Sequence, residues 1–591
     1  MSRSIMDDNT SKRVRVPVFV VGAGPAGLTA TALLAKHGIE TLTVSMHPGT
    51  ANTPRAHITN TRAMEVFRDL GIENKVIELA STSEMPNVIW CTSVAGKELV
   101  RLNSWGYGDD RISDYHMASP SRMCNAPQHV LEPVLLETAR NDGARVIFDT
   151  EVIGIEQDGD RVFSLLLDKR TGEKSIVESD FVLGADGARS IVARTLGFEY
   201  EGVMGQGHAM NVWFEADLEK YTAHRHAVLY PTLQPGNDDW IGGGTFICIR
   251  PWNSWVLLYM YNPDNEATET SEEAVINRIH TLVGRDDIGL KIKMMSKWTV
   301  NNMFAKEMTK GRVVILGDAA HRHPPSGGLG SNTCVQDAFN LAWKVAHIVK
   351  GKAGLGLLQT FSDERQPVAK QMVNRAITAM INMQAVPQAL GLRPGQTEEE
   401  GWAAIDQFRS STNEGRQMRR NVREAMDLQN WQFNGLGGEA GHHYQSKAIV
   451  SDGTTPQFTA DNEHLKLHPT TVPGSTIPHA WVQRGDDNIS TLDLVGHGAF
   501  TLVTGLGGEP WLACAAEIGN SLGIEINTVR ITMDGDIRDL YCAWANLNEM
   551  EDDGCLIVRP DRFVAYRART LVAAPLEALR GAFKQILALD N

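Results

Sequence analysis

The chain has 591 residues, 42% hydrophobic and 21% charged, which excludes a disordered polymer and is too long for one core, so two or three domains are expected. Its formal net charge of -15 excludes the basic surface that nucleic acids and anionic membranes select. Seven scattered cysteines, odd in number and without a CxxC pair, exclude a disulfide scaffold and a zinc framework and point to a reducing, cytoplasmic setting.

In chain order, the polar start MSRSIMDDNTSKRVRVP has no apolar core segment, so no secretory signal is expected. The apolar run from Val18 to Ala35 is almost long enough to span a bilayer. Glycines and Pro25 break it in fingerprint spacing, so it reads as strand, turn and helix. In Gly22-Ala23-Gly24-Pro25-Ala26-Gly27, Gly22 permits the tight turn, Gly24 lets backbone approach a pyrophosphate, and Gly27 allows close helix–strand packing. Pro25 and Ala26 open a helix whose free N–H groups favour an anion. The second strand of such a fingerprint usually ends on an acid that accepts from the adenosine ribose. Here it ends on Ser45, whose hydroxyl accepts without charge assistance, so the nucleotide is expected to wash out more easily than from a site with Glu.

Helical and loop segments continue to about residue 140, and ARVIFDTEVIGIEQDGDRVFSLLLD then alternates as a meander. SDFVLGADGARS is a strand ending at Asp186-Gly187. A carboxylate there can accept from ribose hydroxyls; an ordinary Asp-Gly turn is the plainer alternative. From about 205 to 300 the pattern is β-rich, and TFICIRPWNSWVLLYMY reads as a hairpin. It carries Arg250 and Tyr259, each of which either lines a substrate pocket or packs on the sheet. In GRVVILGDAAHRHPPSGGLGSNT, Asp318 follows Gly317 at the end of a buried strand, where open α/β sheets bind ligands. The run to Gly330 is an irregular backbone able to aim N–H groups at a planar ring or a developing negative charge, and a long helix begins near Asn332. His321 and His323 flank this loop as braces. Helices follow to about 435, NGLGGEAGHHYQS reads as a glycine-rich linker, and strands and helices then alternate as a small α/β module.

Together and in this order, the three motifs resemble those of the flavoprotein aromatic hydroxylases, the single-component FAD monooxygenases. The likeness runs on through DAFNLAWKV and LLQTFSDERQPVA and covers nearly the whole chain. It implies an α/β fold: a Rossmann-like FAD-binding domain from residues 1–205 and 300–435, an interleaved β-sheet substrate domain at 206–299, and a thioredoxin-like domain at 445–591. The last lacks a redox CxxC, so it serves structure or dimerisation, in a homo-oligomer (dimer or tetramer). The resemblance implies the FAD pyrophosphate on the first motif, FAD and NAD(P)H at Asp186 and Gly187, and the FAD ribose at Gly317 and Asp318. It lays the loop of Pro325, Gly328, Gly330, Ser331 and Asn332 along the isoalloxazine.

PRAHITNTRAMEVFRDLG, ASPSRMCNAPQHVLEPVL and YTAHRHAVLYPTLQPG resemble the phenol hydroxylase branch more narrowly. That likeness brings Arg55 to the flavin or its phosphates, Gln128 to the FAD, and His57 to a position where many phenol hydroxylases carry Asp. A neutral imidazole can take the proton of a phenol and leave an electron-rich ring; the alternative is that His57 only orients substrate. The implied reaction is ortho-hydroxylation of a (chloro)phenol to a catechol with O2 and NADPH or NADH, through a flavin hydroperoxide. The runners-up are a larger phenolic, such as a polyketide or phenolic acid, and a flavin-dependent NAD(P)H oxidase. An NAD-bound Rossmann dehydrogenase leaves Asp186 and Asp318 unexplained, and a flavin disulfide reductase lacks its cysteine pair.

Overall fold

The computed structural model describes residues 4–6, 12–81, 86–236, 243–457 and 463–589; the polar N-terminal start lies largely outside them. The strand Lys12–Val21 pairs in parallel with Lys174–Gly184 on one side and Thr41–Val44 on the other. Val313–Ile315 continues the sheet in parallel beyond Lys174–Gly184. Val18, Phe19, Val20, Leu183 and Val314 are fully buried, as strands covered on both faces must be, with the helices Pro25–Lys36 and Gly330–Val349 in the same core. All four strands run the same way, so their C-terminal ends open on one edge. Gly22, Asp186 and Gly317, far apart in the chain, are thereby neighbours at the place where open α/β sheets bind ligands. The expected meander is present: Thr150–Gln157 and Val162–Asp168 pair antiparallel and continue onto Lys174–Gly184.

A second sheet of eight strands stands beside the first. The hairpin Gly244–Arg250 and Ser254–Tyr261 lies inside it as read from sequence. Its limits are not 206–299, however. The long strands Tyr200–Ala216 and Leu290–Ala305 cross both boundaries, and Asn87–Cys91 and Glu98–Asn103 join it from far upstream. Asn87–Cys91 is buried throughout, so it offers no alternation for a periodicity reading to detect. The helix Glu272–Val283, capped by Ser271, also belongs here and covers one face. Residues directly opposite one another share a face, so Met210, Val212, Leu257 and Tyr259 lie together in one core with Val275, Ile279 and Leu282 of that helix. Asn211, Trp213, Ile247, Leu258 and Met260 form the other, largely half-buried face.

The C-terminal unit is thioredoxin-like. Phe500–Thr504, the helix Glu509–Leu522 and the parallel strand Ile526–Thr532 form a βαβ unit. Cys555–Val558 and Val564–Ala568 add antiparallel to Phe500–Thr504, and the helix Pro575–Ile586 follows. It is joined to the first domain by buried charge. Glu364 meets Lys344 Nζ at 2.7 Å and Arg559 Nη1 at 2.6 Å, Arg559 meets Asp561 at 2.5 Å, and all four side chains are essentially inaccessible.

The glycine-rich stretch 434–446 is not a flexible linker. Leu436–Ala440 is a buried helical turn. A Cβ on Gly438 would lie 1.9 Å from Arg375 Nη1, and one on Gly437 would lie 2.0 Å from the Glu463 carbonyl oxygen. These glycines permit close approach, which composition does not distinguish from looseness.

Candidate active site

The fingerprint divides its glycines between packing and openness. Gly22 has φ +108°, and a Cβ there would sit 2.2 Å from the Ala185 carbonyl oxygen; at Gly27 it would sit 1.9 Å from that of Gly22. At Gly24 it would meet nothing within 4 Å. Pro25 opens the helix Pro25–Lys36 and no side chain caps it, so its first-turn N–H groups stand free beside that open space. The arrangement fits a pyrophosphate, whose charge the helix terminus favours. Gly24→Ala is therefore expected to fold normally, with unchanged melting of the apoprotein, yet to be purified with at least ~10-fold less of the FAD that the sequence resemblance implies, since a methyl would fill the open space beside the helix terminus. Flavin absorbance after gel filtration measures this.

Gly317 locks the third motif onto the first. Its φ is +62°, and a Cβ would lie 2.9 Å from that of Ala26 and 3.0 Å from Cys334 Sγ. Asp318 is exposed on this edge, carried on the short turn Gly317–Ala319. The loop that follows turns through Pro325, Gly327 and Gly328 into the helix Gly330–Val349, which also begins without a side-chain cap. Gly330 and Ser331 form its first turn and are half-buried. Gly328 approaches Ile58 so closely that a Cβ would lie 3.0 Å from Ile58 Cβ. The Asn332 side chain fastens this contact: its amide nitrogen donates to the carbonyls of Ile58 at 2.9 Å and Gly328 at 2.6 Å, and its oxygen accepts from the Asn60 N–H at 2.9 Å. Asn332 thus holds the loop through its side chain.

The two loop histidines are braces, as expected. His321 Nε2 lies 2.8 Å from Asp337, a buried carboxylate that also accepts from the Gly317 N–H at 3.1 Å and from Arg365 Nε at 2.7 Å. His323 Nδ1 donates to the Pro324 carbonyl at 2.7 Å.

Asp186 is tied into its own turn. Its carboxylate accepts from Ser190 Oγ at 2.6 Å and from the N–H groups of Ile191 at 2.7 Å and Val192 at 3.2 Å, tying down the start of the helix Ile191–Thr195. Burial raises its pKa against these hydrogen bonds. Its visible work is to fix the turn on which Gly22 rests, with Gly187 at φ +76° continuing it. Ser45 sits at the next strand end, buried, its hydroxyl accepting from the His47 N–H at 3.3 Å.

Arg55 and Gln128 are brought together. The Gln128 N–H donates to the Arg55 carbonyl at 2.8 Å, and Arg55 is exposed. Their organiser is Glu132, a residue the sequence reading missed. It accepts from Gln128 Nε2 at 2.6 Å and from the Ala51 N–H, so it pins the loop before Arg55 onto the helix Gln128–Asn141. Burial raises its pKa, opposed by those hydrogen bonds and by the Arg55 charge. The available signal was the i, i+4 spacing of Gln128 and Glu132 on a helix whose other face is apolar.

His57 immediately precedes Ile58, which places it at the contact with the loop of Gly328 and Asn332. It is half-buried, its Nδ1 lies 3.2 Å from Asn125 Oδ1, and burial lowers its pKa to about 4, so the ring is neutral at pH 7. Arg250 ends its strand exposed; its charge reaches His129, whose ring stands 5.7 Å from Trp213 on the half-buried sheet face. Tyr259 does not line this side. It is fully buried on the helix-covered face, donates to the Glu269 carbonyl at 2.8 Å, and stacks under Arg278 at 4.3 Å. In WVLLYMY the parity that buries Trp255 and Leu257 also buries Tyr259, and turns Leu258 and Met260 the other way.

Among the described residues no group of three or more His, Cys, Asp or Glu is placed to hold a metal ion, and no helix is long and apolar enough to cross a membrane. All seven cysteines are free.

Residues 15–376 match the FAD binding domain, and residues 470–588 match the aromatic-ring hydroxylase C-terminal domain. The chain is 43% identical over 582 residues to the 2,4-dichlorophenol 6-monooxygenase of Cupriavidus pinatubonensis, covering 97% of this chain and 96% of that one. It is 41% identical over 581 residues to the 2,4-dichlorophenol 6-monooxygenase of Delftia acidovorans, covering 98% and 99%. The crystal structure of the flavin-dependent monooxygenase PieE in complex with FAD and substrate matches with a TM-score of 0.94 and 42% identity, covering 98% of this chain and 100% of that one.

Proposed function

The chain belongs to the FAD-dependent aromatic-ring hydroxylases, and we propose that it hydroxylates a small phenol, such as a chlorophenol, at the ring carbon beside the hydroxyl, giving a catechol. The observation that carries this reading is the joining of His57 to the flavin-loop contact through Ile58, Gly328 and Asn332. FAD, when bound, supplies electron transfer from NAD(P)H and the activation of O2.

The residues present divide the remaining work. Gly22, Gly24 and Gly27 with the free N–H groups of the first helix hold the pyrophosphate, and Asp318, Ser45, Arg55 and Gln128 grip the rest of the dinucleotide. The loop from Pro325 to Asn332 backs the flavin ring. His57 accepts the phenolic proton, which raises electron density at the ortho carbon. The half-buried sheet face of Asn211, Trp213, Ile247 and Leu258 covers the aromatic ring and keeps bulk water out. Arg250 stands at the rim.

A small phenol is favoured over a polyketide because the two relatives at 41% and 43% identity are both named for a dichlorophenol. Seven free thiols support a cytoplasmic setting, and a homo-oligomer is part of the same reading.

Steady-state NAD(P)H oxidation with chlorinated, alkylated and carboxylated phenols tests the proposal, with catechol scored against hydrogen peroxide. At least one small phenol is expected to stimulate oxidation and to appear as catechol. Oxidation that no phenol stimulates, or that yields peroxide alone, sinks it.

A further inference from the structure

His57 has a partner that decides which of its ring nitrogens carries the proton. The strands Ile58–Thr59 and Cys124–Asn125 pair antiparallel with Ile58 opposite Asn125, which brings the Asn125 side chain to the ring one residue earlier. The Asn125 amide nitrogen donates to the Cys248 carbonyl at 3.3 Å. A backbone carbonyl only accepts, so the NH2 end of the amide faces Cys248 and the oxygen faces His57. That oxygen, 3.2 Å from Nδ1, also only accepts, so the ring presents N–H at Nδ1. In a neutral imidazole the lone pair is then on Nε2.

We infer that Asn125 is a positioning residue that holds neutral His57 in the Nδ1–H tautomer and leaves Nε2 as the acceptor for the substrate's phenolic proton. The inference rests on the His57 reading above. In the step itself the phenol O–H bond breaks with its electron pair left on oxygen, an Nε2–H bond forms, and no atom changes oxidation state. The anchor is firm: Asn125 is buried, its carbonyl accepts from the Ser81 N–H at 3.2 Å, and Cys248 lies on an interior strand of the second sheet.

An amide orients the ring without adding a charge, whereas a carboxylate at the same place would favour the imidazolium and remove the acceptor. The titratable and charged groups on the segments around the ring are the Cys124 and Cys248 thiols, both pushed up by burial, with Arg55 on its own loop, Arg250 at the end of the Cys248 strand and His323 on the facing loop. Residues 51–59, 124–125 and 244–250 contain no carboxylate.

Holoenzyme labelled with 15N-histidine tests this, His57 being assigned by the signal lost in His57→Gln. Wild-type protein is expected to show His57 protonated at Nδ1 and bare at Nε2 at neutral pH, without substrate. In Asn125→Asp the acid limb of kcat/KM is expected to move up by about one pH unit or more, at equal FAD content. Asn125→Leu is expected to populate the Nε2–H form and to lose ~10-fold or more in kcat with KM little changed. A wild-type His57 protonated at Nε2, or an acid limb unmoved in Asn125→Asp, overturns the inference. A His57→Gln enzyme with wild-type turnover overturns the base reading by itself, while the tautomer signal still decides the part played by Asn125.

Discussion

His57→Ala is expected to lower kcat for a simple phenol by about 10²- to 10³-fold at pH 7 with FAD content unchanged, and to regain rate steadily as pH rises. The magnitude follows from ionisation. A phenol with a pKa near 10 is about one part in a thousand phenolate at pH 7, so an enzyme without a base waits for that fraction. Electron-withdrawing ring substituents make phenols more acidic, so the penalty should shrink across a series of increasingly acidic phenols. His57 suits the task because burial pushes its pKa to about 4, leaving it neutral and able to accept across the neutral range. That value belongs to the resting protein. A phenolate formed beside the ring pulls the imidazole's pKa upward, as an opposite charge does, and in a site shut off from water the ion pair is held strongly. Initial rates from pH 6 to 10 with three phenols of different acidity measure the effect. A penalty independent of both pH and phenol acidity would leave His57 as an orienting residue.

The three motifs at the sheet edge could be read from sequence because each is one short stretch: glycine where backbone must come close, an acid or glycine at a strand end. Their convergence also follows from the parallel order of their strands, since parallel neighbours expose the same ends together. What sequence hides are residues whose meaning comes from a distant partner. Asn125 is an ordinary polar residue until a two-residue strand sets it against His57, 68 positions away. Glu132 looks like a surface helix acid until Gln128 and Ala51 turn to it. Tyr259 shows the converse error. An aromatic with a hydroxyl on a substrate-domain strand invites a role, but its parity puts it under a helix. Stretch 434–446 shows that glycine composition reports small volume, and only packing tells whether the reason is looseness or crowding.

Glu364→Gln is expected to destabilise the docking of the C-terminal domain by about 3–5 kcal/mol, the cost of leaving buried charge uncompensated. The wild-type cluster is balanced: Lys344 and Arg559 against Glu364 and Asp561, all inaccessible to solvent. Burial works to raise the Glu364 pKa, but Arg559 and Lys344 pull it well below the carboxylate range. Its contribution is therefore present above its ordinary value of 4.5 and fades only as pH falls below it towards the depressed folded value, whereas the Gln variant lacks it at every pH. Arg559 cannot shed its proton to relieve the imbalance. Lys344 can, because burial has already lowered its pKa to about 8 with Glu364 opposing that fall. Adding Lys344→Met to Glu364→Gln restores the charge balance and should recover at least half of the loss, which a volume or packing explanation does not predict. The consequence reaches the active site. Asn340 and Lys344 lie on the helix Gly330–Val349, whose first turn continues the loop through Pro325, Gly327 and Gly328, and Asn340 donates to both Glu364 and Asp561. Loosening the cluster should release FAD at a lower temperature than in the wild type. Flavin fluorescence and limited proteolysis, followed on heating at one scan rate in the single and double variants, decide it: equal release temperatures in wild type and Glu364→Gln would show that the thioredoxin-like domain does not steady the cofactor site.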